Sequence, residues 1–282
     1  MKNNFRHNYS HGVYVIREDL SYFSQVKSYI EELGFLDQSE HKEIRGKGKG
    51  RKRSQTISTC IPGSNKEFVL KRFYIHPAYK FSRKVDLFFT SIFKDYSRVA
   101  YFGSLALESA GIPTAKAVAF WSYKRNVFFS EKFFLYEAID ADATLFSHYQ
   151  QSKKDDAAAL KEIESTVIKV IKKIYSLNMR HGDPQLENFL VKYSHTNDSK
   201  EKFSIYLIDT DHFSKSHINI SYIKKVFDLK CLASINIDKG EKKEFVKHFL
   251  GEEYSFFWWW VFVFWSNGGI KFNKWSKTKR RA

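Results

Sequence analysis

The chain has 282 residues, 43% of them hydrophobic and 28% charged, and a formal net charge of +16. This is the composition of a folded soluble body, long enough for two lobes with separate cores or for one large domain. The two cysteines, Cys60 and Cys231, lie in no CxxC or Cys/His pattern, which excludes a zinc site or a disulfide framework and fits a reducing cytosol. The first residues lack an apolar core of signal-peptide length, so export is not expected. The longest apolar run, Phe256–Trp265, is too short to span a bilayer as a helix. The positive excess favours anionic partners: phosphates, acidic lipid surfaces or nucleic acid. A lysine-rich solvated surface accounts for part of it.

Residues 1–44 mix charged and aromatic residues and show no chemistry. Within them Val26–Leu36 reads as a short amphipathic helix closed by Gly34. Residues 45–53, RGKGKGRKR, alternate Gly46, Gly48 and Gly50 with cations. Such a loop brings backbone N–H groups close to phosphates. It departs from GxGxxG, and a basic loop for lipid or nucleic acid is the competing reading. Strands follow at Gln55–Ile61 and Glu67–Phe73. Lys71 lies inside the second, and a lysine in a strand interior is rarely buried without a partner. A solvent-facing lysine on an edge strand is the alternative.

Arg98–Ala110 reads as a helix ended by Gly111 and Pro113. Its acid, Glu108, falls in the last turn, late for a partner of Lys71. Asp86 and Asp95 are the other nearby acids, and an ordinary surface Glu is equally compatible. Strands are expected at Thr114–Trp121 and Asn126–Ala138. The second ends at Leu135-Tyr136-Glu137-Ala138-Ile139, which resembles a hinge whose backbone meets adenine. A lobe boundary is expected near residue 139.

Ser152–Asn178 has a helical period, with Leu160, Ile163, Val167, Ile168, Ile171 and Ile174 on its apolar face. It runs directly into His181–Val191, HGDPQLENFLV. Here Asp183 precedes Asn188 by five residues, and the apolar Phe189, Leu190 and Val191 enter a buried strand. Phosphotransferases of the protein-kinase-like fold use this spacing. The Asp accepts the proton of the attacking hydroxyl, and the Asn carboxamide holds Mg²⁺ on the phosphates. An Asp-Pro pair in an ordinary turn is the plain alternative. Against it stands Tyr206–Phe213, YLIDTDHF, an apolar strand ending in Asp209 with Asp211 two residues on. That is where such enzymes keep a second metal-holding Asp.

Residues 194–202 read as a polar hairpin loop, and Tyr222–Ile235 as a helix containing Asp228. Only a short segment separates Asp211 from that helix, which leaves no room for a long peptide-docking platform. Residues 254–282 hold five of the six tryptophans and end in a basic cluster. They read either as terminal packing on the second lobe or as an interfacial contact with acidic lipid.

LNMRHGDPQLENFLV, with LIDTDHF after it, is similar to the lipopolysaccharide core kinases, and among them to the core heptose kinases. FVLKRF and ESAGIPTAKAVAF resemble the same family's first-lobe strand and helix-to-strand turn. The resemblance covers roughly residues 65–235. It implies an α+β, two-lobed protein-kinase-like fold, with a small β-rich lobe over 1–139 and a larger, mostly helical lobe over 140–282. It also implies ATP- and Mg²⁺-dependent phosphorylation of a sugar hydroxyl on a glycolipid acceptor, at the inner face of the cytoplasmic membrane. Carried onto this chain, Asp183 is the catalytic base, Asn188 and Asp209 hold metal, and Lys71 holds phosphate. Gly46, Gly48, Gly50, Glu108, Glu137 and Ile139 are the further nucleotide-side candidates.

Besides a protein kinase, which the short segment after Asp211 weakens, two rivals stay open. One is a soluble phosphotransferase similar to aminoglycoside or choline kinases, which share an HGD-type loop; the charge of +16 argues against a pocket for cationic substrates. The other is a non-catalytic basic adaptor at a membrane surface, opposed by the intact Lys71, Asp183, Asn188 and Asp209. A nucleic-acid binder would explain the charge but not the loop.

Overall fold

The computed structural model describes residues 4–9, 12–33, 54–74, 85, 94–124, 130–155, 157–193, 203–216, 222–232, 239–251, 255–259 and 261–263. They fall into two units. One comprises Met1–Asp142 with Lys192–His212, the other Ala143–Val191 with Phe213–Ala282.

The first unit is built on an antiparallel sheet of β1 (Asn4–Tyr9), β2 (Gly12–Arg17), β3 (Ser54–Cys60), β4 (Glu67–Phe73), β5 (Ala117–Lys124) and β6 (Ser130–Glu137), in the order β1-β2-β5-β6-β4-β3. Burial alternates between two faces, as the strand period requires. On one face Tyr14, Ile16, Ile57, Phe68, Leu70 and Leu135 pack with Val26, Tyr29 and Ile30 of helix α1 (Phe23–Leu33). Those three fall at i, i+3 and i+4, the stripe by which a helix covers a sheet. On the other face Val15, Phe73, Ala117 and Phe134 meet Ala100 and Tyr101 of helix α2 (Tyr96–Ser109). Each fully buried aliphatic side chain contributes about 2 kcal/mol to this packing.

Local chemistry sets the ends of α2. Asp95 is the N-cap, its Oδ1 accepting from Arg98 N–H at 3.1 Å and from Ser97 Oγ at 2.7 Å. At the other end Gly111 takes φ +64°, and the N–H groups of Gly111 and Ile112 return to the carbonyls of Glu108 and Leu107.

Several boundaries differ from the sequence reading. The helix expected from Val26 begins at Phe23, where Phe23 N–H bonds Leu20 O and Val26 N–H bonds Tyr22 O. The strand expected from Thr114 begins at Ala117, because Thr114 instead forms an isolated parallel bridge with Leu207. The N-terminal segment, which showed no chemistry, supplies two strands of the sheet. The basic glycine loop lies outside the described residues, as do the polar segment 194–202 and the basic C-terminal cluster.

The second unit contains β7 (Ala143–Thr144), α3 (Leu145–Asp155), α4 (Ala157–Ser176), β8 (Met179–Arg180), the start of β9 (Phe189–Tyr193), β11 (Ser214–Lys215), α5 (Tyr222–Leu232) and α6 (Lys239–Leu250); β10 (Phe203–Leu207) belongs to the first unit. Strand β7 pairs with β9, and β8 with β11. Val167, Ile168, Ile171 and Ile174 of α4 are buried as the helical period requires, together with Val226, Leu229 and Leu232 of α5. Residues 256–259 and 261–263 are helical. Phe262 is buried and stacked on Trp259, while Phe256 is 76% and Phe257 59% exposed, so the described part of the aromatic run both packs and faces solvent. No described helix is long and apolar enough to cross a membrane.

Candidate active site

The HGDPQLEN stretch lies in the second unit. It leaves β8, turns at Gly182, and closes through the 3-10 turn Leu186–Asn188 into β9. Gly182 adopts φ +86°, which a side chain strongly disfavours, so the glycine between His181 and Asp183 is required by the turn. The turn is braced around the Asp183 carbonyl. Asp183 O accepts from Gln185 N–H at 2.9 Å and from Asn188 Nδ2 at 2.9 Å, and Asn188 N–H bonds Gln185 O at 2.9 Å. Gln185 Nε2 donates to Asp183 Oδ1 at 2.8 Å. Buried Leu186, Phe189 and Val191 anchor the loop beneath. Because Asn188 spends its amide nitrogen on the Asp183 carbonyl, its carboxamide oxygen is the atom available to a cation.

Asp228 was passed over as a helix residue in the sequence, and it holds the approach to this loop. Its side chain is fully buried on α5. Arg180 Nε and Nη2 donate to its Oδ1 at 2.9 and 2.6 Å, and Tyr175 Oη donates to Oδ2 at 2.9 Å. Burial holds the Asp228 carboxyl above the usual carboxylate range, against the pull of Arg180, Tyr175 and His181. Arg180 lies three residues before Asp183, so the clamp fixes where the loop starts. An Asp inside the apolar stripe Val226, Leu229, Leu232 was the available signal.

Lys71 is in the first unit, on the α2 face of the sheet, opposite Phe134 in register. It is only 6% exposed. Its Nζ donates to Asp209 Oδ1 and, at 3.0 Å, to Asp211 Oδ2. Burial alone would lower the ammonium's pKa. The two carboxylates more than reverse that and leave it above its ordinary value. Asp209 sits at φ +65°, the left-handed region that costs a non-glycine residue about 1 kcal/mol or more. The Thr210–His212 turn follows it. Thr210 Oγ1 donates to Ala100 O of α2 at 2.8 Å and lies 3.0 Å from Ser104 Oγ.

Lys71 and Glu108 do not pair. Glu108 accepts from Arg17 Nη1 at 2.6 Å, and Arg17 also bonds Asp19. A position in the last turn of α2 aims Glu108 at β2 and not at β4. Asp95 is likewise engaged, at the helix N-cap; Asp86 lies outside the described residues. Glu137 ends β6 with its N–H on Lys116 O, and its carboxylate bonds Tyr22 Oη and, at 2.8 Å, Lys66. Burial would raise its carboxyl, but Lys66, Tyr22 and Lys116 hold it below the usual range. Ala138 N–H bonds Glu67 O, and Ile139 follows, half-buried. Gly46, Gly48 and Gly50 lie outside the described residues.

The donor chemistry suits nucleotide-bound Mg²⁺. That ion takes one or two protein oxygens and completes its shell with phosphates and water, so it needs no all-protein cage. Among the described residues no group of three or more His, Cys, Asp and Glu could form such a cage. Asp209 in the first unit offers a carboxylate and Asn188 in the second a carboxamide oxygen, each a donor of that kind.

The sequence profile described as the lipopolysaccharide kinase (Kdo/WaaP) family matches residues 82–246, more than half of the chain. No curated protein matches the sequence. Among solved structures the chain is similar to WaaP in complex with acyl carrier protein, with a TM-score of 0.51 and 15% identity over 72% of this chain and 77% of that one. It is also similar to the Rio2 kinase–ADP/Mg²⁺–phosphoaspartate complex from Chaetomium thermophilum, with a TM-score of 0.50 and 12% identity over 89% of this chain and 72% of that one. These likenesses show the kinase-like fold, with mixed helix and strand and a β-rich N-terminal region.

Proposed function

This chain belongs to the lipopolysaccharide kinase (Kdo/WaaP) family, and on that premise we propose that it phosphorylates a heptose hydroxyl of the lipopolysaccharide inner core, with ATP as donor. The observation that supports the reading is the loop geometry: the turn is held at the Asp183 carbonyl, by Gln185 N–H and Asn188 Nδ2, which leaves the Asn188 carboxamide oxygen and the Asp183 carboxylate, steadied by Gln185 Nε2, to serve chemistry. In the unit with the loop, Asp183 accepts the proton of the attacking sugar hydroxyl, and Asn188 offers its oxygen to Mg²⁺. In the other unit, Lys71 meets the nucleotide phosphates and Asp209 offers a carboxylate oxygen. Mg²⁺, when bound, neutralises charge developing on the phosphates.

Nucleotide binding tests these roles directly. Calorimetry should find Mg²⁺-ATP binding by the native chain. Asn188→Ala and Asp209→Ala should each weaken it, and Lys71→Ala should raise the ATP requirement. A native chain with no affinity for Mg²⁺-ATP contradicts the reading and favours the adaptor. Tandem mass spectrometry of the phosphorylated core oligosaccharide locates the phosphate, and a phosphate on Kdo instead of heptose would correct the acceptor.

A glycolipid acceptor requires work at a membrane surface. The charge of +16 and the exposed Phe256 and Phe257 support peripheral binding to an acidic leaflet. Each basic side chain near such a surface adds about 1 kcal/mol, falling with salt. Removing residues 271–282 should therefore reduce sedimentation with phosphatidylglycerol vesicles at low salt. Equal sedimentation of the full and shortened chains would remove the basic terminus from this role.

A further inference from the structure

The roles assigned above leave Asp211 unused, although it is one of two carboxylates on the Lys71 ammonium. Lys71 needs a counter-ion from somewhere, because a buried ammonium without one is costly. Helix α2 does not supply it: Glu108, the single acid in YSRVAYFGSLALES, is engaged by Arg17. What α2 supplies is an anchor. Ala100, Gly103 and Ser104 are small and buried, and Thr210 bonds Ala100 O and Ser104 Oγ across that surface. Thr210 stands between the two aspartates, so its anchorage holds both.

The two aspartates differ. The Asp209 side chain is 29% exposed, the Asp211 side chain 13%. A carboxylate that binds a divalent cation gives up part of its hold on a neighbouring ammonium, and the two cations repel each other. We propose that Asp211 is the positioning residue for Lys71. It takes the place of a helix acid and keeps the ammonium fixed while Asp209 turns its charge to Mg²⁺. His212 Nε2 lies 3.8 Å from the other Asp211 oxygen, and Lys94 Nζ lies 3.5 Å from His212 Nδ1, so Asp211 is bordered by a basic ring on that side too.

The proposal rests on the kinase reading only in giving Asp209 to the metal. Its test therefore has two arms, using the full chain, Asp211→Asn, Asp211→Glu, Lys71→Met and the Asp211→Asn/Lys71→Met double variant. Asp211→Asn should fold, since Asp209 still faces Lys71. The first arm measures thermal unfolding in EDTA without nucleotide. The losses from Asp211→Asn and Lys71→Met should be non-additive, as for residues in contact. Additive losses overturn the proposal whatever the chain's activity.

The second arm titrates Mg²⁺ against nucleotide binding, followed by calorimetry. Asp211→Asn should raise the Mg²⁺ concentration for half-maximal binding by about fivefold or more, because Lys71 then competes for Asp209. In the Lys71→Met background the same substitution should shift it less than about twofold, and Asp211→Glu should restore part of the native value. An equal shift in both backgrounds makes Asp211 a metal ligand and overturns the proposal, as does no shift in either. Should the native chain bind no Mg²⁺-ATP at all, the kinase reading fails and the EDTA arm alone decides the Lys71–Asp211 link.

Discussion

Asp183→Asn is expected to lower phosphoryl transfer by about a hundredfold or more, with no loss of fold. On the proposed roles, the substitution replaces the carboxylate that accepts the hydroxyl proton with an amide of the same shape. The bonds that brace the turn use the Asp183 carbonyl, which the change leaves intact. Gln185 Nε2 keeps an oxygen to bond, since an amide oxygen also accepts. Melting temperature and Mg²⁺-ATP affinity should therefore stay near the native values while turnover falls. Near-native turnover in a purified, folded variant would remove Asp183 from the role of base.

Asp228→Ala is expected to cost about 3–5 kcal/mol of stability, because it leaves the Arg180 guanidinium without its counter-ion in a largely buried place. Tyr175 Oη loses its acceptor as well. For a chain of this size such a loss lowers the melting temperature by roughly 10 °C. Activity should fall further than the folded fraction explains, since the clamp fixes the residues that lead into His181-Gly182-Asp183. Asp228→Asn keeps an acceptor and should cost less. A melting temperature within about 2 °C of native for Asp228→Ala would show that the clamp contributes little.

The parts legible in the sequence were those carried by short spacing. HGDPQLEN announces its turn because a glycine, an Asp-Pro and an Asn fall within one loop, and the following Phe189 and Val191 alternate into a strand. Lys71 stands out because a cation inside FVLKRF conflicts with its neighbours unless something answers it. The fold class followed from these together with the order of elements around them.

What escaped depends on contacts between residues far apart in the chain. Arg17 and Glu108 are 91 positions apart, and no local pattern says that they meet. Arg180 and Asp228 are 48 apart. The β1–β2 hairpin looked featureless because β2 is buried on both faces, Tyr14 and Ile16 on one and Val15 on the other, so it lacks the polar alternation of a half-exposed strand. Strand and helix ends shifted by a few residues wherever a cap or a bridge set the boundary, as at Asp95 and Thr114.

The central claim is phosphate transfer from ATP to the lipopolysaccharide inner core. The most direct test is the mass of purified core lipopolysaccharide after incubation with the chain and Mg²⁺-ATP. The account predicts a gain of one phosphate unit with the native protein and almost none with Asp183→Asn. An unchanged mass with a native protein that binds Mg²⁺-ATP, or an equal gain with both proteins, would contradict it.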